Sequence, residues 1–334
     1  MVCLAGAGVI ILRGGSGPVS VADPVLVDAG TTSGGSSDST ATPGTSASTS
    51  AAAATTATPA ATAKKAATPA KTTSRAAART TAATTTVTSV KKGASAWKFD
   101  GSKKAMTNSG VSWFYNWSAD RGGIVAPKAV EFVPMIWGAQ SATASTLATA
   151  KKNGKILLGF NEPDMSGQAN MTVDQALALW PKLEATKMTL GSPAVAWGAD
   201  QSGQWLDRFM KGARKKGYRV DFITLHWYGS DFKTADAVSQ LQAYVKATYA
   251  KYHKPIWITE YALMNFSGSP KFPTTSAQAA FITKSTAMLQ KLSYVHRYAW
   301  FAFPTSTNGA DETGLYRPGG VATAAGKAYR AAGQ

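Results

Sequence analysis

Two hydrophobic periods alternate along the chain from Trp97 onward. Short apolar runs occur at 111–117 (VSWFYNW), 131–137 (EFVPMIW), 155–160 (KILLGF), 188–195 (MTLGSPAV), 221–228 (DFITLHWY), 255–259 (PIWIT) and 297–303 (RYAWFAF). Runs of this length, apolar on both sides, predict parallel strands covered on both faces. The stretches between them repeat every three to four residues. Residues 172–186 open with Thr172 followed three positions later by Gln175, a capping-box pattern, and set Ala176, Leu179, Trp180 and Leu183 on one helical face. Trp205, Phe209 and Ala213 make a second stripe, which Gly217 can end in a left-handed cap. Val238, Leu241, Val245 and Tyr249 make a third, and Phe281, Met288, Leu289 and Leu292 a fourth.

Strands alternating with helices predict a parallel α/β sheet with right-handed crossovers. Seven strands are legible, so either an eighth escapes the pattern and the fold is a (β/α)8 TIM barrel, or the sheet is open and doubly wound. No Gly-rich dinucleotide turn follows the first strand, because Gly6-Ala7-Gly8 lies far upstream and lacks the third glycine.

Composition divides the chain. All 33 Phe, Trp and Tyr lie at or after Trp97. A segment without aromatics buries too little apolar surface to offset its chain entropy. Residues 1–30 read as an apolar leader, with VCLAGAGVIIL at 2–12 of signal-peptide length but without a preceding basic residue. Residues 31–95 read as a disordered, low-complexity Ala/Thr-rich basic linker, and 96–334 as the folded domain. The net charge is +17, and both parts are basic. This favours anionic surfaces in general. No aromatic residue stacks beside the sparse lysines of the linker, so no specific nucleic-acid binding is expected. The apolar leader is too short to span a bilayer, so no stable membrane insertion is expected. The single cysteine, Cys3, excludes an intramolecular disulfide.

Chemistry-bearing residues gather where strands end. The third visible strand runs into Asn161-Glu162-Pro163-Asp164, and the sixth into Glu260-Tyr261. In a barrel, the C-terminal strand ends build the active site. Two carboxylates facing each other there suit glycosidic cleavage, one giving a proton to the leaving oxygen while the other acts ionised. The bland alternatives are a loop-capping acid before a proline turn and a surface acid at a strand end. Trp113, Tyr115, Trp117, Trp137, Trp197, Trp227, Tyr261 and Trp300 lie at or near strand ends. Such aromatics stack on the C–H faces of sugars, although some must be core. Trp300 is the candidate floor beneath the cleaved sugar, while Trp257 reads as packed.

The motifs GFNEPD and WITEYA resemble the acid/base and nucleophile motifs of clan A retaining glycosidases. With SWFYNW, FVPMIWG, GSPAVAW, DFITLHWYG and YAWFAF, the ordered set is similar to glycoside hydrolase family 128 over residues 112–303. The resemblance implies a (β/α)8 barrel that hydrolyses β-1,3-glucan internally with retention. It makes Glu162 the acid/base on the fourth strand and Glu260 the nucleophile on the seventh. The missing strand should then precede Lys155. Asn161 can bond the sugar 2-OH, and Tyr228 can donate to Glu260. His226 shares the side of Tyr228 and reads as a satisfied core histidine. The implied binding set is Asn161, Tyr115, Trp137, Trp197, Trp227, Tyr228 and Trp300, on a β-1,3-glucan partner.

Neither a cofactor nor a metal is expected, since His226, His253 and His296 form no helical pair. A monomer, secreted or associated with the cell wall, is expected. The competing readings are a non-catalytic glucan-binding protein on the same barrel and a retaining hydrolase of another β-glycan.

Overall fold

The computed structural model describes residues 89–305 and 313–333. Eight parallel strands form its centre: β1 (Lys92–Ser95), β2 (Trp113–Tyr115), β3 (Glu131–Phe132), β4 (Ile156–Leu157), β5 (Thr189–Leu190), β6 (Ile223–Gly229), β7 (Ile256–Leu263) and β8 (Val295–Trp300). Strands β3-β2-β1-β8-β7-β6 are hydrogen-bonded in that order, and β4 pairs with β5. The two remaining seams are closed by bridges, Met135 with Leu158 between β3 and β4, and Gly191 with Phe222 and Val195 with Leu225 between β5 and β6. The strands therefore close on themselves in chain order as a TIM barrel.

Seven α-helices among the described residues surround it: α1 (Ser102–Ser109), α2 (Ala144–Asn153), α3 (Val173–Glu184), α4 (Trp205–Lys215), α5 (Thr234–Tyr252), α6 (Thr275–Lys291) and α7 (Ala324–Ala331). The capping box of α3 forms as read, with Gln175 N–H on Thr172 Oγ1 (3.2 Å) and Thr172 N–H on Gln175 Oε1 (2.8 Å). Helix α4 ends as expected at Gly217 (φ 72°), with Tyr218 N–H reaching Ala213 C=O and Gly217 N–H reaching Arg214 C=O. A short antiparallel pair, β9 (Tyr316–Arg317) with β10 (Val321–Ala322), lies between β8 and α7.

No helix fills the connection at residues 116–130. The outer faces of β2 and β3 are covered there by Arg121, whose guanidinium lies 6.0 Å from the Phe114 ring and 5.9 Å from Phe132.

Alternation along the strands sorts side chains into two cores. Trp113, Tyr115, Val133, Met135, Leu158, Phe222, Trp257 and Ala299 fill the barrel. Phe114, Phe132, Leu157, Ile223, Leu225, Ile258, Tyr298 and Trp300 face the helices. At the bottom of the barrel, the Arg297 guanidinium stacks 4.3 Å from Trp257 and pairs with Glu131 at 2.6 Å.

The eighth strand is β1, and it precedes Lys155 as the resemblance implied. It corrects the linker boundary, because β1 lies within the stretch 31–95. Its sequence KGAS carries no aromatic or branched residue, so the apolar count missed it. The strand is small for a reason: a Cβ on Gly93 would stand 2.1 Å from the Trp113 ring. Its lysine, Lys92, and the preceding Lys91 are also structural. Lys91 Nζ donates to Gln290 C=O and Leu292 C=O (3.0 Å each) at the end of α6. Buried Lys92 Nζ donates to Tyr329 C=O (3.1 Å) and Ala332 C=O (2.7 Å) at the end of α7. Cations on the orphan carbonyls of helix C-termini complement both hydrogen bonding and the helix dipole. The leader at 1–30 and the linker up to residue 88 lie outside the described residues.

Candidate active site

Glu162 follows β4 and Glu260 lies in β7, so the two acids come from the fourth and seventh strands. Both are almost fully buried, and a carboxylate oxygen of each lies within 4.8 Å of the other. Local backbone departures aim them. Strict alternation would turn Glu260 outward with Ile256 and Ile258. The β6–β7 register shifts at this point, pairing Leu225 with Ile258 but His226 with Glu260, and the irregularity brings Glu260 inside. Glu162 occupies the left-handed region at φ 41°, held by its N–H on Ala194 C=O (2.7 Å) and by Met165 N–H on its own C=O (3.0 Å). A non-glycine residue held in such a conformation costs about 1–3 kcal/mol and marks a position overdetermined by its surroundings.

The two carboxylates are dressed differently. Glu260 accepts from Trp117 Nε1 (2.7 Å) and Tyr115 Oη (3.1 Å) on Oε1, and from Tyr228 Oη on Oε2. Burial and the adjacent carboxylates raise Tyr115 and Tyr228 well above the usual tyrosine range, so both stay protonated donors. Three donors therefore hold both of its oxygens in place. Glu162 lacks such a shell. Burial raises its pKa, and the charges of Glu260 and Asp164 add to the rise, while its bond to His226 opposes it.

His226 stands between them, with Nδ1 2.8 Å from Glu162 Oε1 and Nε2 3.4 Å from Glu260 Oε1. Burial by itself lowers its pKa, but the carboxylates of Glu260 and Glu162 outweigh it and the net shift is upward. By spacing alone the three groups could also hold a metal ion, a grouping that a search for helical histidine pairs does not see. His226 is the functional residue that sequence reasoning undervalued. Its signal was the two-residue offset from Tyr228, which puts both on the inner side of β6.

The remaining sequence-derived residues separate into those at the mouth and those away from it. Tyr115 and Tyr228 touch Glu260. Asn161 is buried beside Glu162, with Nδ2 on Gln168 Oε1 (3.2 Å) and Oδ1 without a protein partner. Trp197 is 39 % exposed after β5, and Trp137 is half-buried after β3. Trp227 and Trp300 do not reach the mouth, which corrects their assignment to sugar binding. They occupy outward positions of β6 and β8. Trp227 stacks on Phe281 of α6. Trp300 is fully buried between Tyr261 and Phe281, with Nε1 on Thr313 C=O (2.7 Å). The inward neighbour Phe301 takes the mouth position, meeting Trp97, Trp117 and Tyr228 edge-on at 5.6–6.5 Å.

A closed (β/α)8 barrel that presents two buried carboxylates with different hydrogen-bond partners at its C-terminal mouth defines a glycoside hydrolase. A family model described as glycosyl hydrolase catalytic core matches residues 91–329. An endo-β-1,3-glucanase of glycoside hydrolase family 128, subgroup I, from Amycolatopsis mediterranei, solved with laminaripentaose, is 56 % identical. It aligns over 73 % of this chain and 100 % of that one, with a TM-score of 0.70. A subgroup II endo-β-1,3-glucanase from Sorangium cellulosum is 28 % identical over 72 % of this chain and 98 % of that one, with a TM-score of 0.61. Alkali-sensitive linkage protein 1 of Schizosaccharomyces pombe is 34 % identical over 212 residues. The match covers 61 % of this chain and spans about a third (36 %) of that curated relative. The chain belongs to the glycosyl hydrolase catalytic core family and, within it, to glycoside hydrolase family 128. Among the described residues no helix is long and apolar enough to cross a membrane.

Proposed function

We propose that the protein is a retaining endo-β-1,3-glucanase in which Glu260 attacks the anomeric carbon and Glu162 protonates the leaving oxygen. The observation that carries this reading is the approach of the two carboxylates to within 4.8 Å. Retaining glycosidases hold their carboxyl groups about 5–5.5 Å apart and inverting ones about 6.5–9.5 Å, so a nearest-oxygen approach this short suits the retaining pair. The asymmetry of surroundings supports the roles. Glu260 is fixed and aimed by Trp117, Tyr115 and Tyr228. Glu162, buried with one histidine partner, is kept protonated until the glycosidic oxygen takes its proton. The ionised Glu162 then draws a proton from water, which cleaves the glycosyl–Glu260 ester. Asn161 Oδ1 is free to accept a sugar hydroxyl beside the reacting carbon.

The linkage is supported by the relatives solved with laminari-oligosaccharides. Trp197 and Trp137 are the indoles placed to stack on sugar rings. Action as a monomer outside the cell belongs to the same reading, since the proposed substrate is a wall polymer.

The test is hydrolysis of laminari-oligosaccharides, with the anomer of the first product followed by NMR. Retention of the β configuration is expected, with kcat lowered at least about 10³-fold in Glu162→Gln and in Glu260→Gln, the scale of lost acid–base or covalent catalysis. An α-configured first product would exclude the double-displacement route. Tight binding without release of reducing ends would place the protein among glucan binders. Turnover of cellulose or xylan oligosaccharides alone would overturn the linkage.

A further inference from the structure

The ladder between β4 and β5 changes its chemistry at the acid/base. Up to that point backbone pairs with backbone: Ala194 N–H donates to Phe160 C=O (2.9 Å) and Glu162 N–H to Ala194 C=O (2.7 Å). The next rung of a parallel ladder would be Ala196 N–H on Glu162 C=O. That carbonyl is taken by the turn, through Met165 N–H at 3.0 Å, and Pro163 has no N–H to offer. The side chain of Asp164 fills the rung instead, its Oδ1 accepting Ala196 N–H at 3.0 Å. The N–H of Trp197 lies against the same carboxylate. Trp197 is the one exposed aromatic among the large apolar side chains of the described residues. The mechanism above makes no use of Asp164, and even a half-buried carboxylate is costly unless it is hydrogen-bonded.

We infer that Asp164 is a positioning residue that ties the Trp197 sugar platform to the turn carrying the proton donor, so that one carboxylate sets both the register of the glucan chain and the electrostatics of Glu162. This rests on the glucanase reading. The platform arm is geometric. An indole at a loop apex holds a pyranose ring only if its own backbone is fixed, and the bond to Ala196 lies one residue away. The electrostatic arm follows from placement, since Asp164 lies two residues after Glu162 and fills the rung that Glu162 C=O leaves open, which sets a like charge in the same turn. Glu162 faces His226 and Tyr228 from β6, Glu260 from β7, Tyr115 from β2 and Asp164 from its own turn. Of these, Asp164 and Glu260 are the anions that push its pKa upward.

Two substitutions separate the arms. Asp164→Asn keeps an oxygen acceptor for Ala196 N–H and removes the charge. KM for laminarihexaose should stay within about twofold, while the alkaline limb of kcat/KM moves to lower pH. Asp164→Ala removes both, and KM should rise about tenfold, the loss of one charge-assisted hydrogen bond. Trp197→Ala should reproduce the rise in KM without moving the limb. Amide hydrogen exchange gives a readout independent of turnover: the N–H groups of Ala196 and Trp197 should exchange faster in Asp164→Ala and keep their protection in Asp164→Asn. An unchanged KM in Asp164→Ala, or a fixed alkaline limb in Asp164→Asn, would overturn the assignment. Failure of the wild-type protein to cleave any β-1,3-linked oligosaccharide would instead reject the glucanase reading, and exchange at Ala196 and Trp197 would still decide the anchoring. If Asp164→Ala does not fold, Asp164→Leu, which fills similar space without an acceptor, takes its place for KM and for amide exchange at Ala196 and Trp197.

Discussion

His226 concentrates what single residues do in this site. Its imidazole is fully buried and spans the two acids, so removing it changes their proton balance as well as their positions. In the proposed mechanism Glu162 acts in its protonated form. Burial raises its pKa, so the proton donor is present below that raised value and is lost as pH climbs through it. The alkaline limb of kcat/KM should therefore lie above about pH 4.3, the ordinary glutamate range. A limb at or below that range would contradict the burial argument. The bond to His226 pulls the same pKa down, so His226→Asn should move the limb to higher pH. This is opposite to the shift expected for Asp164→Asn. Tyr228→Phe removes one donor from Glu260. A hydrogen bond to a charged group is worth about 1.5–3 kcal/mol, so kcat should fall about 10- to 150-fold with little change in KM. An unchanged kcat would remove Tyr228 from the nucleophile's support.

At the scale of elements, the apolar runs located β2 to β8 and the two acids at their ends. Alternation then misjudged particular side chains for identifiable reasons. Glu260 faces inward only because of the irregularity after Ile258, and a register shift leaves no mark in residue type. Trp300 and Phe301 are adjacent aromatics, so composition could not say which one looks into the barrel. Strand β1 was invisible because its work is done by small residues and a lysine. Gly93 lies beneath the Trp113 indole, so Gly93→Ala forces that ring to move. Overpacking of this kind typically costs about 1–3 kcal/mol, readable as a lowered denaturation midpoint at unchanged m-value. Lys92→Met would leave the carbonyls of Tyr329 and Ala332 without their donor. The expected loss is about 1–3 kcal/mol, and a neutral outcome would show that water replaces the ammonium.

For the whole molecule, the position of the first strand decides where the domain begins. A chain starting at Ser89 keeps β1 and both lysines and should unfold cooperatively. One starting at Ala96, at the border suggested by composition, lacks the strand that joins β2 to β8 and should expose apolar surface to a hydrophobic dye. Cooperative unfolding of the shorter chain would show that the ring tolerates a gap. The lysine bonds carry a further consequence, for synthesis on the ribosome. Lys92 and its acceptor Ala332 are 240 residues apart in sequence, yet they meet at one seam. Contacts this remote form late, and a nascent chain grows by only about 5–20 residues each second. The first strand therefore leaves the exit tunnel long before the last helix exists and waits unpaired on its β8 side, so the cylinder is sealed only once β8 and α7 have emerged.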